Sequence, residues 1–318
     1  MCDIWKDTTQ SEISAEELTR HLADIEKLAV KWVVFSGGEP LMHSDLFRLA
    51  DMLRSRGVRV TLLSTGLLLK RHAEQIATRI DDVIVSLDGP PQIHDQIRRV
   101  PRAFSQLEQG VRAIHALNPR FQISARCTVQ KSNYSSLRET ARVAKGLGLN
   151  SVSFLAADMT SEAFNRVQPW ADSRQAEVGL TLEEVATLEK EFEGIDEDWQ
   201  GSGFVAENSK KLRRIAQHFR VQLGLCGSEA PHCNAPWVSA VVEANGTVRP
   251  CFFHRPIGSL KSHTLLEVLN GFEAQRFRAS LDVENNPVCQ RCVCSLNWRE
   301  PALPKFYESP ETLRFTSK

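Results

Sequence analysis

The sequence predicts an α/β protein: a parallel sheet clothed by helices, followed by a small cysteine-rich α+β unit. Three observations lead there. Helix-like and strand-like segments alternate five times between residues 15 and 160. Each strand-like run ends in small, polar or turn-forming residues. Five of the eight cysteines fall between residues 233 and 294. Apolar strands alternating with amphipathic helices imply parallel pairing, because a parallel neighbour needs a crossover long enough to be a helix.

In chain order, Glu16–Leu28 carries apolar residues at helical spacing, and Lys31–Phe35 is a β-branched and aromatic run closed by Gly37-Gly38. Asp45–Arg56 reads as a helix stopped by Gly57, and Val58–Leu63 as a strand. Arg71–Arg79 is helical, and Asp82–Leu87 is a strand ending in Asp88-Gly89-Pro90. Phe104–Leu117 is helical, Phe121–Val129 a strand, Ser136–Gly146 a helix and Ser151–Leu155 the fifth strand. These assignments rest on the 3.6-residue and two-residue periods of apolar positions. The pattern loosens after Asp158. Thr181–Phe192 and Lys210–Val221 are helical within more polar surroundings.

Composition excludes several classes. Lys+Arg and Asp+Glu both number 39 in 318 residues, so no net charge favours a nucleic acid or an anionic membrane. No apolar run has the length of a membrane span and no signal peptide opens the chain, so a cytoplasmic protein is expected. Clustered cysteines in a chain of this size then point to a metal rather than a disulfide framework.

Cys233 and Cys251 flank a stretch that reads as a β-hairpin: Trp237–Glu243, the turn Ala244-Asn245-Gly246, and Thr247–Pro250. A hairpin returns its ends to one place, which would bring the two thiols together. A helix is expected over Thr264–Phe277, and Cys289-x-x-Cys292 follows with chelating spacing. Four convergent thiolates suit a structural zinc or a [4Fe-4S] cluster, and the spacing does not choose between them. Cys294 is a spare thiol or an alternative ligand. Cys127 and Cys226 read as ordinary buried thiols, and His232 and His254 as neighbours of the metal site.

The segment Ser36-Gly37-Gly38-Glu39-Pro40, at the end of the first strand, resembles the GGEP motif of the radical S-adenosylmethionine (radical SAM) superfamily. The glycines permit close approach to the backbone, and the acid can neutralise an ammonium. The resemblance implies that Gly37, Gly38, Glu39 and Pro40 hold the amino group of S-adenosyl-L-methionine. It assigns the cofactor carboxylate to Ser86 and to Arg98 twelve residues on, a polar contact to Thr65 of Ser64-Thr65-Gly66, and packing of the adenine to Leu155. The pattern C-x12-G-x4-C, a gap, then C-x2-C is similar to the SPASM/twitch extension of the same superfamily. It implies that Cys233, Cys251, Cys289 and Cys292 bind an auxiliary [4Fe-4S] cluster.

The fold so implied is an incomplete parallel (β/α) barrel lacking its first strand. Residues 1–165 would form that core, 166–225 a connecting helical region, and 226–318 the auxiliary iron–sulfur domain. The superfamily binds its radical-generating cluster through C-x3-C-x2-C, and the chain begins Met1-Cys2-Asp3, matching only the third cysteine. A start codon assigned too late, or a shortened chain, is the expectation. The implied activity is cleavage of S-adenosylmethionine at a [4Fe-4S] cluster and hydrogen abstraction from a peptide or small-metabolite substrate. A reductant such as flavodoxin or ferredoxin would supply electrons, with no nucleic-acid or membrane partner. A degenerate, non-catalytic metal-binding protein and a zinc-ribbon binding module are the alternatives.

Overall fold

Five parallel strands stand side by side in sequence order in the computed structural model, which describes residues 4–6, 11–163, 166, 168–199 and 201–299. They are β1 (Trp32–Phe35), β2 (Arg59–Ser64), β3 (Asp82–Ser86), β4 (Gln122–Val129) and β5 (Ser151–Ala156), each paired in parallel with the next. This is the expected order and direction. Helices α1 (Ala15–Thr19) and α2 (Leu22–Lys27) precede β1, and α3 (Leu46–Arg54), α4 (Ala73–Arg79), α5 (Pro91–Arg98), α6 (Ala103–Leu117) and α7 (Leu137–Gly146) fill the crossovers. After β5 come α8 (Asp172–Val178), α9 (Leu182–Trp199) and α10 (Ser209–Gln222).

Side chains alternate between the two faces of a strand. On one face Val60, Leu62, Val83, Val85, Ile123, Ala125, Val152 and Phe154 are buried, packed with Leu53 of α3, Leu107 and Ile114 of α6 and Ala141 of α7. The same hydrophobic cluster runs on through Val185, Leu188 and Phe192 of α9 to Leu212 and Phe219 of α10. The opposite face has no such cover. Trp32 and Val34 are exposed there, and so is Arg126 in the middle of β4. The outer edge of β5 is occupied by the stretch 204–207: Val152 N donates to Phe204 O, Ala206 N donates to Val152 O, and Phe154 N donates to the Glu207 carboxylate at 2.8 Å. Such an edge, left bare, would invite another chain to pair with it.

Two expected helices are each split. Glu16–Leu28 breaks at Arg20-His21, where the chain tightens into i→i−3 bonds (Arg20 N to Glu17 O, His21 N to Leu18 O) and Thr19 Oγ1 bonds back to Ala15 O. Thr264–Phe277 becomes α12 (Leu265–Asn270) and α13 (Phe272–Ser280), separated by an extended Gly271 whose Cβ would lie 2.6 Å from Glu267 O. The expected first hairpin strand, Trp237–Glu243, is also corrected. Its start is the short helix α11 (Ala235–Val238), opened by Pro236, and only Val241–Val242 (β6) pairs with Thr247–Arg249 (β7). A third short strand, Gly258–Ser259 (β8), completes an antiparallel sheet, and α14 (Pro287–Gln290) carries Cys289, with Cys292 just past its end. No helix among the described residues is long and apolar enough to cross a membrane.

One link ties the carboxy-terminal unit to the amino-terminal helices. Asp24, nearly buried on α2, accepts a hydrogen bond from Leu266 N at 2.9 Å, in the first turn of α12. Thr264 and Glu267 satisfy the neighbouring amides as a reciprocal capping box. The Leu266 amide, helped by the Thr264 hydroxyl, holds the Asp24 carboxyl below its ordinary pKa. Asp24→Ala is expected to cost about 1 kcal/mol, the usual worth of a lost cap. Because the folded-state pKa is depressed, this stabilisation is present above the unfolded pKa of about 4 and is lost as pH falls through the folded value. Urea unfolding of wild type and Asp24→Ala at pH 7 and pH 3 checks it: the gap between the two proteins should narrow at the lower pH.

Candidate active site and cysteine cluster

Glu39 organises the carboxy-terminal ends of β1 and β2. Its carboxylate accepts Leu41 N at 3.1 Å and Ser64 Oγ at 3.0 Å on Oε1, and Thr65 N at 2.8 Å together with the Thr65 hydroxyl on Oε2. It also caps the 3-10 turn Pro40–Met42. The carboxylate is therefore engaged by its own chain, and Thr65 points its donors at Glu39. Gly37 lies at φ +131°, a conformation that favours glycine, and a Cβ there would meet nothing within 4 Å. The turn is thus held from below and open above. Ile4 approaches the Gly38 position to 3.7 Å, which sets Ile4 beside this turn. Cys2 itself lies outside the described residues.

Arg98, at the end of α5, places Nη2 2.7 Å from Asp88 Oδ2 just beyond β3, although the approach is off the hydrogen-bonding direction. Asp88 is buried, and Arg98 Nε, Asp88 Oδ2 and His94 Nε2 are all buried without a hydrogen-bond partner. His94 Nδ1 accepts Asp88 N at 3.2 Å, and burial lowers the imidazole pKa to about 4, so the ring is neutral and Nε2 carries its proton. Buried polar atoms are nearly always satisfied; with Asp88 Oδ2 ion-paired, Arg98 Nε and His94 Nε2 remain as two donors at this strand end that a polar ligand could take. Ser86 and Leu155 both point to the uncovered face of the sheet, opposite the buried Val85 and Phe154. The structure thus joins Glu39 to Thr65 directly, lays Ser86 and Leu155 on a common face, and gives Arg98 an aspartate partner that sequence spacing did not announce. Two buried groups beyond β5 were also missed: Arg166 is enclosed by Asp158 O, the Asp158 carboxylate and Ala163 O.

The cysteines of the carboxy-terminal unit share one electrostatic neighbourhood. Burial, and next the charges of Cys251 and Cys233, push the Cys289 thiol up to about 11. Cys292 is raised further by burial and by Cys294, Cys251 and Cys233. Burial and mutual repulsion keep these thiols protonated without a cation, as burial does for Cys127, and a metal ion or cluster bound to them would reverse this. Among the described residues no three Cys, His, Asp or Glu side chains stand close enough to share one metal ion, so the cysteines are neighbours without forming a closed cage. His254 Nε2 lies 3.4 Å from Cys289 Sγ, and Arg214 of α10 donates to Cys292 O at 2.8 Å. Cys127 is buried in β4 as expected, whereas Cys226 is exposed, because α10 has ended and Gly224 (φ +70°) turns the chain outward.

The segment after Cys292 crosses to the uncovered sheet face. Arg126 influences the Cys294 thiol, Asn234 N donates to Leu296 O, and the Trp298 ring stands 6.4 Å from that of Trp32 on β1.

The family model for the radical SAM superfamily matches residues 1–153, and that for the SPASM iron–sulfur cluster-binding domain matches residues 233–293. Residues 1–153 thus form a radical SAM domain and residues 233–293 a SPASM domain. Among curated radical SAM relatives, the AdoMet-dependent heme synthase of Methanosarcina barkeri is 31% identical over 140 residues, covering 43% of this chain and 40% of that protein. The antilisterial bacteriocin subtilosin biosynthesis protein AlbA of Bacillus subtilis is 23% identical over 259 residues, 76% of this chain and 51% of that protein. The aligned chain therefore spans only about half, or less, of these relatives' length. Of solved structures, anSMEcpe with bound AdoMet superposes with a TM-score of 0.64 at 16% identity, covering 91% of this chain and 84% of that one. Streptococcus suis SuiB bound to S-adenosylmethionine gives 0.62 at 14% identity, covering 91% and 67%. These likenesses establish the radical SAM fold.

The Glu39 clamp makes a prediction of its own. Glutamine at this position must turn its NH2 toward either Leu41 N or Thr65 N, and neither amide can rotate away. Glu39→Gln should destabilise by about 2 kcal/mol in urea unfolding, the scale of a lost hydrogen bond to a charged group, while a surface control such as Glu74→Gln should not.

Proposed function

We propose that the protein uses S-adenosyl-L-methionine and a [4Fe-4S] cluster to abstract hydrogen from a peptide or small-metabolite substrate, with an auxiliary [4Fe-4S] cluster on Cys233, Cys251, Cys289 and Cys292 for electron transfer. The observation that carries this reading is the coexistence, in one chain, of the open Gly37–Pro40 turn and the SPASM match over residues 233–293, which contains the four cysteines. When bound and reduced, such a cluster with its cofactor supplies a 5′-deoxyadenosyl radical. The chain's own task is then to bind, orient and exclude water.

Within this reading the edge of Gly37 and Gly38 receives the cofactor's amino group. Glu39 fixes that edge by clamping β1 to β2 through Ser64 and Thr65. Ser86 and Arg98 hold the carboxylate, with the orphaned Arg98 Nε as the donor still to be satisfied. Leu155, half-buried on the uncovered face, offers an apolar wall to the adenine. Cys2 would be the chain's contribution to the radical-generating cluster. A peptide substrate draws support from AlbA, the relative aligned over the largest share of this chain among those described, and from the peptide complexes of anSMEcpe and SuiB. A small reductant such as flavodoxin or ferredoxin fits the same scheme.

Anaerobic reconstitution with iron and sulfide tests both sites without turnover. Replacing Cys251 or Cys289 by serine should remove about four irons per chain, the content of one [4Fe-4S] cluster, whereas Cys294→Ser should leave iron unchanged. Calorimetric titration with S-adenosylmethionine should show binding weakened on the order of tenfold in Ser86→Ala and in Arg98→Gln, as expected for loss of a charge-assisted hydrogen bond. Zinc alone in the purified protein would overturn the auxiliary cluster. Unaltered cofactor affinity in both variants would overturn the carboxylate site.

A further inference from the structure

The uncovered face of the sheet carries Arg126, a cation that makes no ion pair among the described residues, although the Glu207 carboxylate and the Cys294 thiol lie within its field. In the register of the strands, Ser86 of β3 stands beside Arg126 of β4, and Arg126 beside Ser153 of β5. The three side chains form one row across the face opposite the helices. Arg126 Nε donates to Ser153 Oγ at 3.3 Å, and Ser153 Oγ donates to Ala125 O. That single bond uses Nε and leaves both Nη groups available.

Other arginines reaching the sheet are neutralised within the chain. Arg59 meets Asp82 at 2.8 Å, Arg98 meets Asp88 at 2.7 Å, and Arg166 meets the Asp158 carboxylate. Among the described residues no carboxylate lies within ion-pair distance of Arg126. A charged residue inside a central strand gains nothing for the sheet, where β-branched and aromatic side chains pack better. A guanidinium presents a planar fork that matches a carboxylate. Arg126, its Nε fixed by Ser153, thus forms a carboxylate cradle next to the Ser86 that serves the cofactor.

We infer that Arg126 anchors a carboxylate of the substrate, so that the substrate is an acid: a peptide bearing an acidic side chain or free terminus, or a carboxylated metabolite. This rests on the proposed function, in which Ser86 and Leu155 of the same face meet the cofactor. S-adenosylmethionine also has a carboxylate, and it is the competing source for the same cradle.

The test uses the full chain, reconstituted anaerobically, with para-fluorobenzoate as a carboxylate probe and para-fluorobenzamide as its neutral twin. Fluorine NMR line broadening is followed with and without saturating S-adenosylmethionine. The benzoate should broaden in both conditions and the benzamide in neither. Arg126→Gln should weaken benzoate binding on the order of tenfold, while Arg126→Lys, which keeps the charge and loses the fork, should fall between. Calorimetric affinity for S-adenosylmethionine should be unchanged in Arg126→Gln. Equal broadening of the two probes, or benzoate binding indifferent to Arg126→Gln, overturns the inference. Displacement of benzoate by the cofactor, or loss of cofactor binding in Arg126→Gln, assigns the cradle to the cofactor's carboxylate and overturns it as well. Should wild type bind no S-adenosylmethionine, the proposed function falls, and the cofactor-free benzoate titration still decides the role of Arg126.

Discussion

Everything in this protein follows from a parallel sheet that is covered by helices on one side only. Crossover helices bury Val60, Leu62, Val83, Val85 and their neighbours, and the hydrophobic effect there holds the strands in register. The same alternation delivers the other side chains to a face the helices cannot reach. That face must be completed by side-chain hydrogen bonds, by ligands, or by another part of the chain, and all three solutions are visible. At its base Trp32 Nε1 bonds Thr61 Oγ1, which bonds Asp82, which in turn receives Arg59. Higher up, Ser151 bonds Ser124. Across it runs the stretch from Cys292 to Trp298.

The second consequence is chemical. In a parallel sheet every strand presents its carboxy-terminal end at the same edge, so the loops that follow converge. Glu39, Asp88 and Asp158 all lie at that edge, and each carboxylate is met by a group from elsewhere in the chain: Thr65 for Glu39, Arg98 for Asp88 and Arg166 for Asp158. The edge is therefore stiffened by charge-assisted bonds, which is what a site needs if it is to hold a cofactor in one pose. The Glu39 carboxylate illustrates the division of labour: engaged by Ser64 and Thr65, it fixes the turn whose glycine backbone remains open to an incoming group.

Sequence reading found the five strands because apolar runs bounded by glycine and polar turns are strong local signals, and it found the family because GGEP and the spaced cysteines are specific together. Helix continuity was less legible. The break at Arg20-His21 follows from a threonine back-bond, and the break at Gly271 from a close approach to Glu267 O. Neither changes the apolar period. The pairing of Arg98 with Asp88 depends on how α5 returns to β3, information that ten residues of spacing do not contain. Arg126 was passed over as a charge inside an apolar strand, because its lack of an ion pair among the described residues is a property of the assembled sheet. Cys226 was misjudged because the exposure of a thiol depends on where the preceding helix stops.

The order of the strands has a bearing on how the chain comes to be folded. Each strand pairs with the one before it in sequence, so the sheet can grow one helix and strand at a time as synthesis proceeds, with short loops to close at every step. The bond from Leu266 to Asp24 is of another kind, since its partners are 242 residues apart. The acceptor is made before the sheet and waits for a donor synthesised long after it. Docking of the carboxy-terminal unit on α2 thus follows the synthesis of all five strands of the large sheet. Until it happens, the uncovered sheet face with its exposed Trp32 and Val34 is without the segment that crosses it, and this is the interval in which the growing protein has most need of a chaperone.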